Sequence, residues 1–127
     1  MPAGSSFPRR AIFKGGNHMT INWEEVPEQA MTNFKGGDGI TWIRAFSDGM
    51  NRIMMVRIQP GCSIGMHTHE TNSEIFHVLS GTARVVMDGK VEYIPAGEVH
   101  YCPKGHSHMT EPHGMEELRM LAIVPEQ

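Results

Sequence analysis

Three residues in the middle of the chain, His67, His69 and Glu74, have types and spacing that suit metal binding. His67 and His69 are two residues apart, so on a β-strand both imidazoles project from the same face. The intervening segment Glu70-Thr71-Asn72-Ser73 has the composition of a turn. The chain can therefore reverse there and return Glu74 beside the two imidazoles on a neighbouring strand. With one further histidine, the set of three imidazoles and a carboxylate suits a divalent transition-metal ion.

The same segment resembles the first motif of the cupin superfamily, Gly-x5-His-x-His-x4-Glu-x6-Gly. Every fixed position of that motif is present between Gly61 and Gly81. The resemblance covers roughly residues 52 to 124, and it implies a small jelly-roll-like antiparallel β-barrel. It also implies one bound divalent metal ion.

The second cupin motif, Gly-x5-Pro-x-Gly-x2-His-x3-Asn, fits this sequence in two registers that assign different histidines to the metal. One register starts at Gly89 and ends at His100, whereas the other starts at Gly97 and ends at His108. Both registers lack the final asparagine of the motif, so that residue does not distinguish them.

Strand spacing favours the second register. Asp88-Gly89 is a strong signal for a β-hairpin turn, with a strand predicted on each side of it. The first register would use this turn as a motif glycine and leave almost no strand between the two motifs. We therefore predict that His108, rather than His100, is the fourth ligand.

A site of this kind would be open to a further ligand. Four protein ligands on an octahedral ion leave two positions, which can hold water, a chelating substrate or dioxygen. Iron, manganese, nickel, copper and zinc all suit it, so the identity of the metal stays open. The cupin resemblance implies a metal-dependent enzyme acting on a small oxygen-rich or anionic metabolite, as a dioxygenase, isomerase, lyase or decarboxylase. His100 and His106 are its candidate catalytic residues, for proton transfer. The alternative is a non-catalytic sensor module that binds a sugar or metabolite.

Composition favours a single cytoplasmic domain whose partner is a small molecule. The 127 residues carry a net charge of -3 with a pI near 6.2, which gives no basic footprint for nucleic acid. No apolar stretch approaches the roughly 20 residues that span a bilayer, and the N-terminus lacks the apolar core of a signal peptide. Neither nucleic acid nor membrane is therefore an expected partner. The two cysteines are too few for a disulfide scaffold and are expected to stay reduced.

Turn-forming residues divide the chain into short strands, which predicts an all-β fold with one jelly-roll-like antiparallel barrel. We assign residues 1–39 to a partly irregular N-terminal arm and residues 40–124 to the cupin β-barrel domain. The predicted strands include 40–46, 51–59, 82–87, 90–94, 99–102 and 118–124.

Two further expectations concern surfaces. Phe76 and Val78 share the strand parity of Glu74, so we expect them to wall the cavity beside the metal. Small cupins commonly pair, and an exposed sheet face or edge needs covering. A homodimer is therefore expected, helped by the N-terminal arm and by a sheet face on which His77 is a candidate.

Overall fold

The computed structural model describes residues 19–127, and β-strands dominate it. The expected irregular segment at residues 1–18 lies outside the described part. The ten strands are, in chain order, β1 (Gln29–Thr32), β2 (Ile40–Ser47), β3 (Asn51–Ile58), β4 (Ile64–Thr68), β5 (Glu74–Ser80), β6 (Thr82–Met87), β7 (Lys90–Pro95), β8 (Val99–Cys102), β9 (Ser107–Pro112) and β10 (Leu118–Pro125). These elements confirm the predicted all-β, jelly-roll-like fold. Between residues 19 and 127, no helix has the length and apolar character needed to cross a bilayer.

The strands form two antiparallel sheets. Six strands pair in the order β1-β2-β3-β10-β5-β8, and four pair in the order β4-β9-β6-β7. Among the described strands, none of one sheet pairs with a strand of the other. The fold is therefore an open jelly roll and not a closed ring of hydrogen-bonded strands.

The turn between β6 and β7 matches the predicted hairpin. Asp88 and Gly89 have φ angles of 51° and 80°, so both are left-handed, as a two-residue type I′ turn requires. The flanking residues Met87 and Lys90 pair directly across the ladder. The turn thus fixes the register of the β6–β7 hairpin, which lies between the two segments that resemble the first and second cupin motifs.

Alternating side chains of both sheets fill the space between them. Along β2, β3 and β10 nearly every second residue is buried, as the period of a strand dictates. The core takes residues from the six-stranded sheet, such as Ile43 and Met120, and from the four-stranded sheet, such as Ala83 and Val85. Full burial of a large apolar side chain contributes about 1.5–3 kcal/mol. This core therefore holds the two sheets face to face and brings their strand ends together.

The segment before β2 packs against the six-stranded sheet. It contains a short 3-10 helix at Trp23–Glu25, and β1 pairs antiparallel with β2. Arg44 of β2 donates from Nη1 to the carbonyl oxygens of Trp23, at 2.9 Å, and Val26, at 2.7 Å. Part of the expected N-terminal arm thus extends the sheet. The domain boundary assigned at residue 40 stays a prediction.

Candidate metal centre

Two strands of the four-stranded sheet bring the three histidines of the predicted site together. His67 of β4 pairs directly with His108 of β9. His69 follows the end of β4, where its backbone N–H donates to the carbonyl of His106 at 3.0 Å and its carbonyl accepts from Gly105 at 2.6 Å. The extended pairing therefore continues past β4, and His67 and His69 face the same side as the strand period predicts.

Glu74 reaches the histidines from the opposite sheet, which corrects the expectation that it lies on a strand neighbouring theirs. β4 belongs to the four-stranded sheet, but β5, which begins at Glu74, pairs with β8 and β10 in the other sheet. Residues 69–73 are therefore a crossover between sheets and not a hairpin turn. The composition of the segment signals a reversal, but it does not determine which sheet the next strand joins.

The four side chains converge on one point. The Nε2 atom of His69 lies 3.1 Å from His67 Nε2 and 3.0 Å from His108 Nε2. Glu74 Oε1 lies 2.9 Å from His108 Nε2 and 3.3 Å from His69 Nε2. One ligand atom from each of the four residues falls within 4.8 Å of all the others. Adjacent ligands about 2.1 Å from an octahedral ion are separated by about 3.0 Å, so these residues fit a single metal ion.

The hydrogen bonds behind the imidazoles of His67 and His69 fix which nitrogen of each ring faces the centre. His67 Nδ1 lies 2.7 Å from the carbonyl of Gly65, which can only accept. His69 Nδ1 lies 2.6 Å from Asn72 Oδ1, and the amide nitrogen of Asn72 donates to Glu126, which sets the orientation of that amide. Both Nδ1 atoms therefore carry a proton, so in a neutral imidazole the Nε2 lone pair faces the centre. The two Nε2 atoms lie 3.1 Å apart. A metal ion, or a proton on one of the two nitrogens, makes so short a contact favourable.

Electrostatics give His67 and Glu74 the charge states that metal ligation needs, whereas His69 must lose a proton when a metal ion binds. Burial is the main reason that the pKa of His67 falls to about 4, so its imidazole is neutral at pH 7. Burial also disfavours the charged form of His69, but hydrogen bonds with Glu74 and Asn72 outweigh it and raise the pKa of His69. For Glu74 burial opposes ionisation, yet hydrogen bonds from His108 and His69 hold the pKa of its carboxyl far below the ordinary value. An ionised carboxylate beside a neutral imidazole is ready to bind a metal ion.

The two candidate catalytic histidines, His100 and His106, do not belong to the cluster of four ligand residues. His100 is 3% exposed and lies behind His108, with its Nε2 atom 3.0 Å from His108 Nδ1 and the two rings stacked. His106 is exposed and pairs with the carboxylate of Asp88 at the β6–β7 turn. His100 thus contacts a metal-ligand candidate from behind, whereas His106 faces solvent. Their predicted part in proton transfer stays untested.

A cavity of about 280 Å³, at the small end of ligand-binding cavities, is lined by three of the four ligand candidates, His67, His69 and Glu74. Its walls are apolar side chains of both sheets, together with polar residues of the crossover segment. The expected walls Phe76 and Val78 do not line it, because both are wholly buried in the core. Sequence reasoning missed the residues that do line it: Phe34, Lys35, Ile43, Arg52, Met54, Val56, Ile64, Thr68, Glu70, Thr71, Asn72 and Val124.

The sequence of this chain is similar to that of a known protein family and of a characterised relative. The family model described as the cupin domain matches residues 54–124. An oxalate-binding protein of Thermotoga maritima is 29% identical over 117 residues, which are 87% of this chain and 97% of that protein.

Solved structures agree in fold. A predicted oxalate decarboxylase of Thermotoga maritima superimposes with a TM-score of 0.76 at 27% identity, covering 86% of this chain and 100% of the other. The cupin domain of Schizosaccharomyces pombe Cnp3 gives a TM-score of 0.70 at 14% identity, covering 85% of this chain and 74% of that one. The second likeness concerns the fold alone.

Proposed function

The chain belongs to the cupin family, and we propose that it binds one divalent transition-metal ion through His67, His69, Glu74 and His108. The observation that carries this proposal is the convergence of three imidazole nitrogens and one carboxylate oxygen, all within 4.8 Å of one another. These four atoms would hold the ion if it is bound there. The nearby carboxylate of Glu74 supplies a negative charge that strengthens the binding of a cation.

We further propose that the ligand is a small dicarboxylate, with oxalate as the first candidate. The relatives named above support this choice, one as an oxalate-binding protein and one as a predicted oxalate decarboxylase. The cavity beside the site suits a small metabolite. A bound divalent ion would supply Lewis-acid polarisation of the ligand oxygens, and iron or manganese could also supply redox chemistry.

The protein could either convert oxalate or bind it without turnover. As an enzyme, the protein would convert oxalate and one proton into formate and carbon dioxide, and a side chain must deliver that proton. Among the described residues that line the cavity, Glu70 is the carboxyl group outside the candidate ligand set, so it is the candidate proton donor. The alternative is binding without turnover, and the exclusion of His100 and His106 from the cavity walls favours this alternative.

A metal-reconstitution experiment separates these possibilities. The protein is stripped with a chelator and reloaded separately with manganese, iron, nickel, copper and zinc. Each form is titrated with oxalate by calorimetry and assayed for formate, carbon dioxide and oxygen uptake. We expect metal-dependent oxalate binding. Formate release supports the enzyme, whereas binding without any product under every metal supports the binding module. Equal oxalate binding with and without metal would contradict both.

A further inference from the structure

Two cationic side chains, Lys35 and Arg52, line the same cavity as the metal-ligand candidates. They come from different elements: Lys35 from the 3-10 turn Phe34–Gly36, and Arg52 from the start of β3. Both interact electrostatically with Glu74, the carboxylate of the candidate site. The cavity therefore has two positive groups from elements outside the strands that carry the histidines.

The backbone around Lys35 is held in an uncommon conformation by close packing. Lys35 has a φ of 55° and Asn33 a φ of 51°, and non-glycine residues adopt such left-handed angles only rarely. A Cβ atom on Gly65 of β4 would collide with the Lys35 carbonyl, so only glycine permits this approach. Left-handed non-glycine residues cluster at functional sites, where the surrounding structure sustains their strain. The turn is thus locked to the strand that carries His67.

Lys35 is positioned over an apolar surface that also belongs to the cavity. Its Nζ atom lies 5.6 Å from the ring centroid of Phe34, and Phe34 is itself a lining residue. Partial burial lowers the pKa of Lys35, and the positive charge of Arg52 lowers it further. Two cations that repel each other at one cavity favour an anion between them.

Arg52 occupies a position of β3 that otherwise belongs to the core. Met54, Val56 and Ile58 share its strand parity and are all buried. Burial lowers the pKa of Arg52, and the charges of Glu126 and Glu74 oppose that effect. An inward-facing arginine is costly unless charge compensates it. A ligand anion in the cavity would add to that compensation.

The positive and negative side chains that line the cavity are equal in number. Lys35 and Arg52 oppose Glu70 and Glu74 among the lining residues, so the walls alone are close to neutral. A divalent ion with neutral histidines then leaves two positive charges. A dianion neutralises these two charges, whereas a monoanion or a neutral molecule does not.

We infer that Lys35 and Arg52 are specificity-determining residues that select a small dicarboxylate dianion over monoanionic and neutral analogues. The inference rests on the proposed function, since the metal ion holds one end of the ligand. It adds that these two side chains bind the ligand oxygens that the ion leaves exposed. Charge-assisted hydrogen bonds are the stronger class of such contacts, and Arg52 can form two in parallel.

The test compares oxalate, a dianion, with oxamate, in which one carboxylate is replaced by a neutral amide. Manganese-loaded wild type, Lys35→Met and Arg52→Met are titrated with each probe by calorimetry. The wild type should prefer oxalate, and each variant should lose about 10-fold or more in oxalate affinity but less in oxamate affinity. Lys35→Arg should keep most of the preference because it keeps the charge, whereas Arg52→Lys should keep only part of it because lysine cannot form two parallel hydrogen bonds.

Controls separate a binding role from a structural one. Lys90→Met removes an exposed lysine at the β6–β7 turn and should behave like the wild type. Manganese affinity is measured in every variant without oxalate and should stay near the wild-type value. An unchanged ratio of oxalate to oxamate affinity in both methionine variants would overturn the inference while leaving the proposed function intact. Variants that lose manganese, or inorganic phosphate that binds more tightly than oxalate, would also overturn it. A manganese-loaded wild type that binds neither probe would overturn the proposed function and the inference together.

Discussion

His108 is contacted from two sides. Its Nε2 atom faces Glu74 and His69, and its Nδ1 atom lies 3.0 Å from Nε2 of the buried His100. A group that hydrogen-bonds the far nitrogen of a metal-binding histidine fixes the ring orientation and tautomer. His100 also packs against Phe76, with ring centroids 4.9 Å apart, which fixes His100 in turn. We therefore interpret His100 as a positioning residue.

His100→Phe keeps an aromatic ring in this buried site and removes the contact with His108. Metal affinity should fall about 10- to 100-fold, as is typical for loss of such a partner. A competition titration against a fluorescent chelator measures the affinity. His77→Phe, at an exposed histidine of β5, serves as the matched control and should leave the affinity unchanged. Equal affinities for His100→Phe and the wild type would show that His100 does not position His108.

The ligand-type residues were predictable from the sequence, whereas the groups that hydrogen-bond to them were not. Spacing along the chain indicated His67, His69 and Glu74, and hairpin placement favoured His108 over His100. Asn72 and Gly65, which fix the tautomers of His69 and His67, were not recognised. A backbone carbonyl and an amide in a polar segment carry no distinctive sequence pattern. Arg52 did have a signal, since it shares the strand parity of three apolar residues of β3.

The turn that precedes β2 depends on close contact with β4. Gly37 and Gly65 approach so closely that a Cβ atom on either would meet the backbone of the other segment. Ser63 reinforces the contact, because its N–H donates to the carbonyl of Asp38 at 2.9 Å and its Oγ accepts from the N–H of Asp38 at 3.0 Å. The contact attaches Lys35 to the strand of His67.

Gly65→Ala should destabilise the fold, because the new methyl group collides with the Lys35 carbonyl. The expected loss in the free energy of unfolding is about 1–3 kcal/mol, the usual effect of overpacking. Urea denaturation of the metal-free protein measures it. Met66→Ala changes an exposed residue of the same strand and should stay within about 0.5 kcal/mol of the wild type. A similarly small change in Gly65→Ala would contradict the proposed close contact.

Strand positions were predictable because turn residues and alternation are local signals, and six predicted strands agree with observed strands to within about one residue. The assignment of β4 and β5 to different sheets was not predictable, because pairing partners depend on contacts far apart in sequence. The packing of the turn around Lys35 against β4 was not predictable for the same reason, since it too depends on contacts between residues far apart in sequence. Local patterns thus predicted the elements, and the assembled core determined the cavity.

Around β5 and β8, the outer face of the six-stranded sheet exposes apolar side chains. Ile75 pairs with Tyr101 and His77 pairs with Val99 across β5 and β8. Tyr101 is 53% exposed and Val99 is 58% exposed. Contiguous apolar side chains on a sheet face are typical of an interaction surface. This face is the candidate surface for the predicted homodimer, and the predicted contribution of residues 1–18 lies outside the described residues.

Sedimentation at micromolar concentration should give the mass of a dimer for the wild type. Val99→Glu should shift the equilibrium towards monomer, because it places a charge within the apolar face. Val91→Glu changes a similarly exposed valine of β7 in the other sheet and should leave the dimer intact. A monomeric wild type would refute the predicted homodimer. A dimeric Val99→Glu would exclude this face as the interface.

Stability of the metal-free protein should decrease in acid. Burial lowers the pKa of His67 and of His100 to about 4, from the ordinary 6.5. Below pH 6.5 the unfolded chain therefore binds more protons than the folded chain, and stability falls until about pH 4. The raised pKa of His69 does not offset this fall, since its contribution is complete below pH 6.5. The lowered pKa of Glu74 adds a further loss below pH 4.5.

Urea denaturation at a series of pH values, with a chelator present, tests this dependence. The free energy of unfolding should decline steadily from pH 6.5 to pH 4. A value that stays constant or rises over this range would indicate that His67 and His100 are protonated in the folded state.

The most direct test of the account is calorimetric titration of divalent metal into chelator-treated wild type and His108→Ala. Separate titrations with manganese, iron, nickel, copper and zinc cover the candidate ions. We predict one ion per chain for the wild type and an affinity at least about 100-fold lower for His108→Ala, because a coordinating nitrogen is lost. His77→Ala should bind like the wild type. A wild type that binds none of these ions, or a His108→Ala variant that binds them equally well, would contradict the metal site.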